Sequence, residues 1–403
     1  MKLKVLVCLI LLAFVASLST AVHAQTFSVI HSFTGGTGGA LPWAGVTIRG
    51  NTLYGTTSGI YGSCGSAYQL THSGSNWLIS TLAGLCDPVG RVVFGPDGHL
   101  YGTTRGVSNG PWGEVFKLTP QVGPCKDVAC YWTVNDLHDF GSGTDGRNPG
   151  NGDLIWDQQG NMYGTTQWGG TSGAGTVYQL TPSGNGYTES VLYSFSSDGW
   201  APGAGLVFDK KGNLFGATYW GGTKNIGTVF ELTYVPGVGW TEHVLYSFQN
   251  GSDGRYPGTG LVFDSAGNLY GTTSDGGSGG GGTVFELSPS GDTWTFKLLY
   301  SFSGPSYCGC GPGAALTMDG AGNLYGTTYG DGIYGAGNIF KLSNTQNGWV
   351  YTSLHDFAGT DGFAPVSNVS IDTDGTMYGT TTGGGDRNCN GGAGCGTVWM
   401  IKP

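Results

Sequence analysis

The sequence predicts an all-β fold: a seven-bladed β-propeller of four-stranded antiparallel blades in which an N-terminal strand closes the last blade. Three observations lead there. A motif close to Gly-Asn-Leu-Tyr-Gly-Thr-Thr recurs seven times, each period of roughly fifty residues carries four strand-like runs, and the two ends of the chain hold complementary fragments of one more repeat.

The elements follow in chain order. Residues 1–24 set Lys2 and Lys4 ahead of an apolar run that ends Val22-His23-Ala24, the pattern of a secretory signal peptide cut near Ala24. The run is too short and wrongly flanked for a membrane span. The remaining domain, 25–403, is expected to be secreted, extracellular or periplasmic. It begins with FSVIHSF at 27–33, a strand of the kind that ends every later repeat.

The motif itself, run B, stands at 52–57, 99–104, 161–166, 213–218, 268–273, 323–328 and 376–381, with Tyr54, Tyr101, Tyr163, Phe215, Tyr270, Tyr325 and Tyr378 as its aromatics. Ahead of it lies run A, apolar and ending in Asp, as in GLVFD at 205–209 and 260–264. After it comes run C, GTVFEL at 227–232 and 282–287, and then run D, VLYSF at 191–195 and 244–248. Asp-x-x-Gly joins A to B, where Asp caps a tight turn and Gly takes the positive φ. C joins D through short turns followed by Trp or Tyr. The B–C and D–A connections are long and Gly-rich, and alternate connections of an up-and-down blade share a face, so both long sets belong to one rim. The chain ends with GTVWMIKP, a run C with no D after it, so 27–33 is expected to be the outer strand of the last blade. Within run B, alternation of side chains sends Leu towards one neighbouring blade and Tyr towards the other, while the adjacent Gly lets backbone and aromatic approach closely.

These phrases, LYGTT, GTVFEL and VLYSF, resemble those of the GloVer-repeat family, bacterial exported proteins with varied surface anchors. The resemblance covers nearly all of 26–403. It implies the repeat fold and assigns no activity. The chain departs from the family in reading to Pro403 directly after its last strand, without an anchoring tail.

Composition narrows function. The net charge is −10, from 16 Lys+Arg against 26 Asp+Glu, with no basic arm, which argues against nucleic acid or an anionic membrane as partner. Eight cysteines follow the signal, an even number that suits disulfides in an exported chain. Cys125 with Cys130, Cys389 with Cys395 and Cys64 with Cys86 are the natural pairs, but spacing leaves the full connectivity open. Cys308-Gly309-Cys310 is too close for an unstrained bridge, and it lacks the CxxC spacing or nearby histidine of a zinc site.

Chemistry should sit where copies differ, or at the central mouth. The five glutamates do not form a catalytic set, and no nucleophile elbow or dinucleotide fingerprint is present. An SDG or TDG element recurs in the D–A loops as Asp145, Asp198, Asp253 and Asp361. A ring of such carboxylates could take calcium or sugar hydroxyls; alternatively, each Asp caps its own loop. His31, His138 and His355 replace the Tyr of run D and read as packing variants. Non-repeating aromatics of the long-loop rim, Trp168, Tyr219, Trp220, Tyr329 and Tyr334, with Trp112 and Tyr61 as weaker cases, could stack on sugar faces, anchor a protein, or fold down over their own loops. The expectation is a monomeric binding or interaction module for an extracellular glycan or protein, with no cofactor other than an optional calcium. The alternatives are a carbohydrate-active hydrolase or lyase using rim aspartates, and a structural envelope protein.

Overall fold

The computed structural model describes residues 25–403 except 61–63, 107–111, 122–130, 142, 151, 185 and 305–308. The expected signal peptide, Tyr61, Cys125, Cys130 and Cys308 therefore lie outside the described residues.

Seven small antiparallel sheets stand in a ring. Blades I to VI occupy 47–85, 93–139, 147–194, 207–247, 262–303 and 317–356, and blade VII combines 370–402 with Thr26–Ser32. In blade IV the strands, from the axis outward, are A (Val207–Phe208), B (Leu214–Thr218), C (Thr228–Val235) and D (Gly239–Ser247). Blade III adds a short strand, Arg147–Pro149, beside its own B. Strand A is shorter than its apolar run suggests, two residues in six of the blades. The residues ahead of it, such as Gly205 and Leu206, line the axial channel, where, among the described residues, no strand lies further inward to pair with them.

The ring closes as the split repeat predicts. Thr26–Ser32 runs antiparallel to Thr397–Lys402 with Phe27 opposite Ile401, one residue ahead of the expected span, and the Phe33 amide continues the ladder by donating to the Gly396 carbonyl at 2.9 Å.

The core lies between blades rather than within them. Leu214 of blade IV packs with Tyr163, Val177 and Phe195 of blade III, whereas the next residue, Phe215, packs with Leu269, Phe285 and Leu287 of blade V. Each such large side chain contributes roughly 1.5–3 kcal/mol on burial. Towards the short-turn face, Phe215 meets Phe263 edge-on at 5.1 Å and Trp294 at 5.9 Å, so the aromatic after each C–D turn belongs to the seam. Gly216 lies opposite Phe230, and a Cβ there would sit 2.5 Å from the ring, which explains the Gly in every copy of the motif. At the A–B turn Asp264 accepts the Ala266 and Asn268 amides, both at 2.9 Å, and the Tyr270 hydroxyl at 3.0 Å. Although burial opposes it, these donors hold the Asp264 carboxyl below the ordinary range.

Disulfides join Cys64 to Cys86 and Cys389 to Cys395, and Cys310 is also disulfide-bonded. Among the described residues, no helix is long and apolar enough to cross a membrane, and no cluster of three or more His, Cys, Asp or Glu is arranged to hold a metal.

Candidate functional site

The long-loop rim is built on a repeated backbone frame. At four junctions a residue of the D–A loop bridges a residue at or just beyond the end of the next strand B: Arg147 faces Trp168, Trp200 faces Trp220, Arg255 faces Asp275 and Phe363 faces Gly383. In the second of these, the Trp200 amide donates to the Trp220 carbonyl at 2.8 Å and the Trp220 amide returns a bond at 3.0 Å. The residue that follows takes a left-handed φ ahead of a proline, as at Ala201 (54°) and Tyr256 (62°). Backbone geometry is thus shared while the bridged side chains differ from blade to blade.

Those differences gather aromatics into an arc over blades II to V. Arg147 lies over the Trp112 ring at 5.1 Å. Trp168 meets Trp200 edge-on at 5.6 Å and Trp220 at 6.4 Å, and Trp200 meets Trp220 at 5.5 Å. Trp220 contacts Tyr219 at 4.7 Å, and Tyr219 stacks on Tyr256 at 4.8 Å with planes 6° apart. Trp200 is 38% exposed; the neighbouring rings are half-buried. Apart from that stacked pair the rings tilt against one another, so the patch is faceted rather than flat. Beneath it, the buried Arg255–Asp275 ion pair (3.0 Å) ties the loop carrying Tyr256 to blade V, with Arg255 also donating to Asn250 at 3.0 Å. Burial raises the Tyr219 hydroxyl pKa, keeping it a donor.

The patch adjoins the axial channel, a cavity of about 340 Å³. The ring of Tyr219 packs against Gly258, which lines the channel; a Cβ on Gly258 would lie 2.6 Å from it. The residue preceding the buried Val or Leu of each strand A faces this channel, and there the copies diverge: Gly45, Arg91, Asp153, Gly205, Gly260, Ala315 and Asn368. Arg91 forms a bidentate pair with Asp153, its Nε 3.2 Å from both carboxylate oxygens, and extends Nη1 to the Ser370 hydroxyl at 3.4 Å, spanning blades II, III and VII. Burial opposes the charge on Arg91, but Asp153 outweighs it and raises the guanidinium pKa.

Of the residues singled out from sequence, Trp168, Tyr219 and Trp220 come together. Tyr329 (44% exposed) and Tyr334 (64%) lie on blade VI, and no ring contact among the described residues joins them to the arc. The four loop aspartates hold their own loops. Asp145 accepts the Gly141 amide at 2.9 Å; Asp198 accepts the Tyr193 hydroxyl and the Ser196 and Gly199 amides; Asp253 accepts Tyr246 at 3.1 Å and Gln249 at 2.7 Å; Asp361 pairs with His355 at 2.8 Å and accepts the Ala358 amide at 2.9 Å. Burial works against the charge on Asp198, yet these donors lower its pKa. Two rim aspartates are raised, Asp331 through burial and then the charge of Asp356, and Asp87 through burial against the opposing charge of Arg105, but none of these carboxylates lines the channel. Trp200, Tyr256, Arg147 and the Arg91–Asp153–Asn368 set were not read from sequence. Their signal was departure from the repeat at fixed positions, visible only when the copies are laid in structural register.

Among solved structures, the fold is similar to the PL25 ulvan lyase, a polysaccharide lyase (TM-score 0.55, 11% identity, 93% of this chain and 95% of that one). It is also similar to a protein from Lactobacillus plantarum (0.54, 16%, 82% and 88%) and to a putative 6-phosphogluconolactonase from Bacteroides uniformis (0.52, 16%, 81% and 88%). At these identities the likeness establishes the fold alone. No curated protein matches the sequence. The family model for the Gloeobacter/Verrucomicrobia repeat matches residues 18–197, 59–238 and 184–398.

Proposed function

We propose, from the premise that the chain belongs to the Gloeobacter/Verrucomicrobia repeat family, that this member is a secreted binding module that takes a glycan on its long-loop face. The observation that carries the reading is the arc Trp168–Trp200–Trp220–Tyr219–Tyr256, assembled from loops of three successive blade junctions. Aromatic rings offer apolar faces to the C–H side of a sugar ring, while Arg147 and the Tyr219 hydroxyl supply hydrogen bonds at the edges. Tyr329 and Tyr334 extend the same face as a separate contact, and Asp145, Asp198, Asp253 and Asp361 act by holding loop shape. The net charge of −10 favours a neutral polysaccharide over a strongly anionic one. The disulfides Cys64–Cys86 and Cys389–Cys395, with Cys310 also bridged, suit an oxidising compartment outside the cytoplasm.

Binding of the mature protein to a glycan array, with and without calcium, tests the reading. Binding to a defined glycan class is expected, with a Trp200→Ala, Trp220→Ala double variant losing it by at least tenfold while keeping its melting temperature within a few degrees. Binding that survives the double variant, or no binding under any condition, overturns the reading and turns attention to a protein partner.

A further inference from the structure

We infer that a cleft between blades VII and I, on the short-turn face, is a second binding site, shaped for a single neutral sugar unit. It lies on the opposite face from the aromatic arc and does not depend on that reading.

The cleft, of about 310 Å³, lies where most blades carry a larger side chain than the isoleucine found here. At the equivalent place in the seam between blades IV and V, Phe263 of strand A packs edge-on against Phe215 at 5.1 Å, beside the Phe215–Trp294 contact. Phe94, Trp156, Phe208 and Met318 occupy that position in the seams leading into blades II, III, IV and VI. Blades VII and I hold the smaller Ile371 and Ile48 there, and beside Ile48 the rings of Tyr378 and Trp77 meet edge-on at 5.9 Å at the side of the cleft.

Its polar lining is equally particular to this seam. In blades II, III, V and VI the strand B tyrosine closes its own turn by donating to the turn aspartate, at 2.7 Å (Tyr101–Asp97), 2.8 Å (Tyr163–Asp157) and 3.0 Å (Tyr270–Asp264 and Tyr325–Asp319). In blades III, V and VI an asparagine two residues before the tyrosine orients that aspartate. Blade VII has Thr376 there instead. Asp372 then accepts the Thr373 amide at 2.7 Å, a second carboxylate, Asp374, accepts the Thr376 amide at 2.8 Å, and Tyr378 makes no bond to either. Two carboxylates and a phenol hydroxyl therefore line the cleft together, joined by His72 and Lys402. Burial first, and then the two carboxylates, push the Tyr378 hydroxyl up to about 12, so it remains a donor.

This combination selects the ligand. The carboxylates accept, Lys402 and Tyr378 donate, and Trp77, with the His72 ring tilted against it at 4.8 Å, supplies apolar lining; a sugar ring both donates and accepts through its hydroxyls and carries an apolar C–H side. An ammonium group would donate only and meet Lys402, and an anion would meet two carboxylates. The volume is at the lower end of the ~300–1,000 Å³ of ligand pockets, room for one ring rather than a chain.

Saturation-transfer NMR on the full chain, with D-glucose, D-galactose, L-rhamnose, D-xylose and N-acetyl-D-glucosamine as probes, tests the inference. At least one is expected to bind with a Kd on the order of 1 mM, weakened at least tenfold by Trp77→Ala and by Asp374→Asn and unchanged in the Trp200→Ala, Trp220→Ala variant. Asp374→Asn keeps an acceptor for the turn amide and so separates ligand loss from misfolding. No binding by any probe, or binding that persists in both cleft variants, overturns the inference. So does binding lost only in the arc variant, which would instead support the long-loop site.

Discussion

Tyr68 and Tyr178 occupy the strand C position where blades II, IV, V and VI place Phe and blade VII places Trp399. Both rings are fully buried, and neither hydroxyl has a hydrogen-bond partner among the described residues. A buried unsatisfied hydroxyl costs about 1–3 kcal/mol, and the neighbouring blades show that Phe fits the same hole. Tyr178→Phe is accordingly expected to stabilise the fold by about 1 kcal/mol, read as a rise in thermal midpoint; a fall would mean that the hydroxyl is satisfied. At this scale the sequence was legible wherever a residue answers to its own neighbours: the Gly of the motif, the turn aspartates and the loop-capping role of Asp198 follow from local spacing. Trp200 and Arg147 were not legible, because their meaning comes from a partner across the loop bridge, Trp220 or Trp168, 20 or so residues away.

The outer D strands show how one element is adapted around the ring. Between blades IV and V, V and VI, and VI and VII they meet through stacked rings, Tyr246 on Phe296 (4.6 Å), Tyr300 on Tyr351 (4.4 Å) and His355 on Phe27 (3.5 Å). In blades III and IV the register of Phe296 is held by Glu189 and Glu242. Burial first, and then Asp145 and Asp198, push these two carboxyls from 4.5 up to about 7. An acid whose pKa is higher folded than unfolded favours folding at low pH, so its contribution is present below about pH 4.5 and is lost as pH rises towards 7. Discounted for partial solvent exposure, the loss is about 1 kcal/mol per site. The melting temperature is expected to fall between pH 5 and 8, and a Glu189→Gln, Glu242→Gln variant to flatten that slope; an equal slope in the variant would assign the dependence elsewhere. Strand order, turn positions and the face of each loop set were legible at this scale because strand period and loop length are local. The shortness of strand A was not, since it follows from the lack of an inner partner beside the axial channel.

Closure belongs to the whole molecule, and it was the most legible feature of all, because two incomplete repeats can be completed only by each other. Thr26–Ser32 covers the edge of Thr397–Lys402, and Phe27 packs into the core cluster of Tyr325, Phe357 and Trp399. A chain lacking residues 26–32 would present an open edge and a breached core. It is expected to associate or aggregate in light-scattering chromatography, where the intact chain elutes as one species; a well-behaved monomer from the shortened chain would show that the last blade stands without its outer strand. The seam on the other side of blade VII, with Ile48 where blades II to V place an aromatic, escaped sequence reading because a smaller side chain stands out only against the other junctions. The pairing of the first strand with the last also sets a rule of timing. During synthesis Thr26–Ser32 emerges ahead of every other described strand and its partner after them, so blade VII cannot be completed until the seventh repeat has been translated. A chain stopped short of Thr397–Lys402, however many blades it has built, keeps its opening strand unmated.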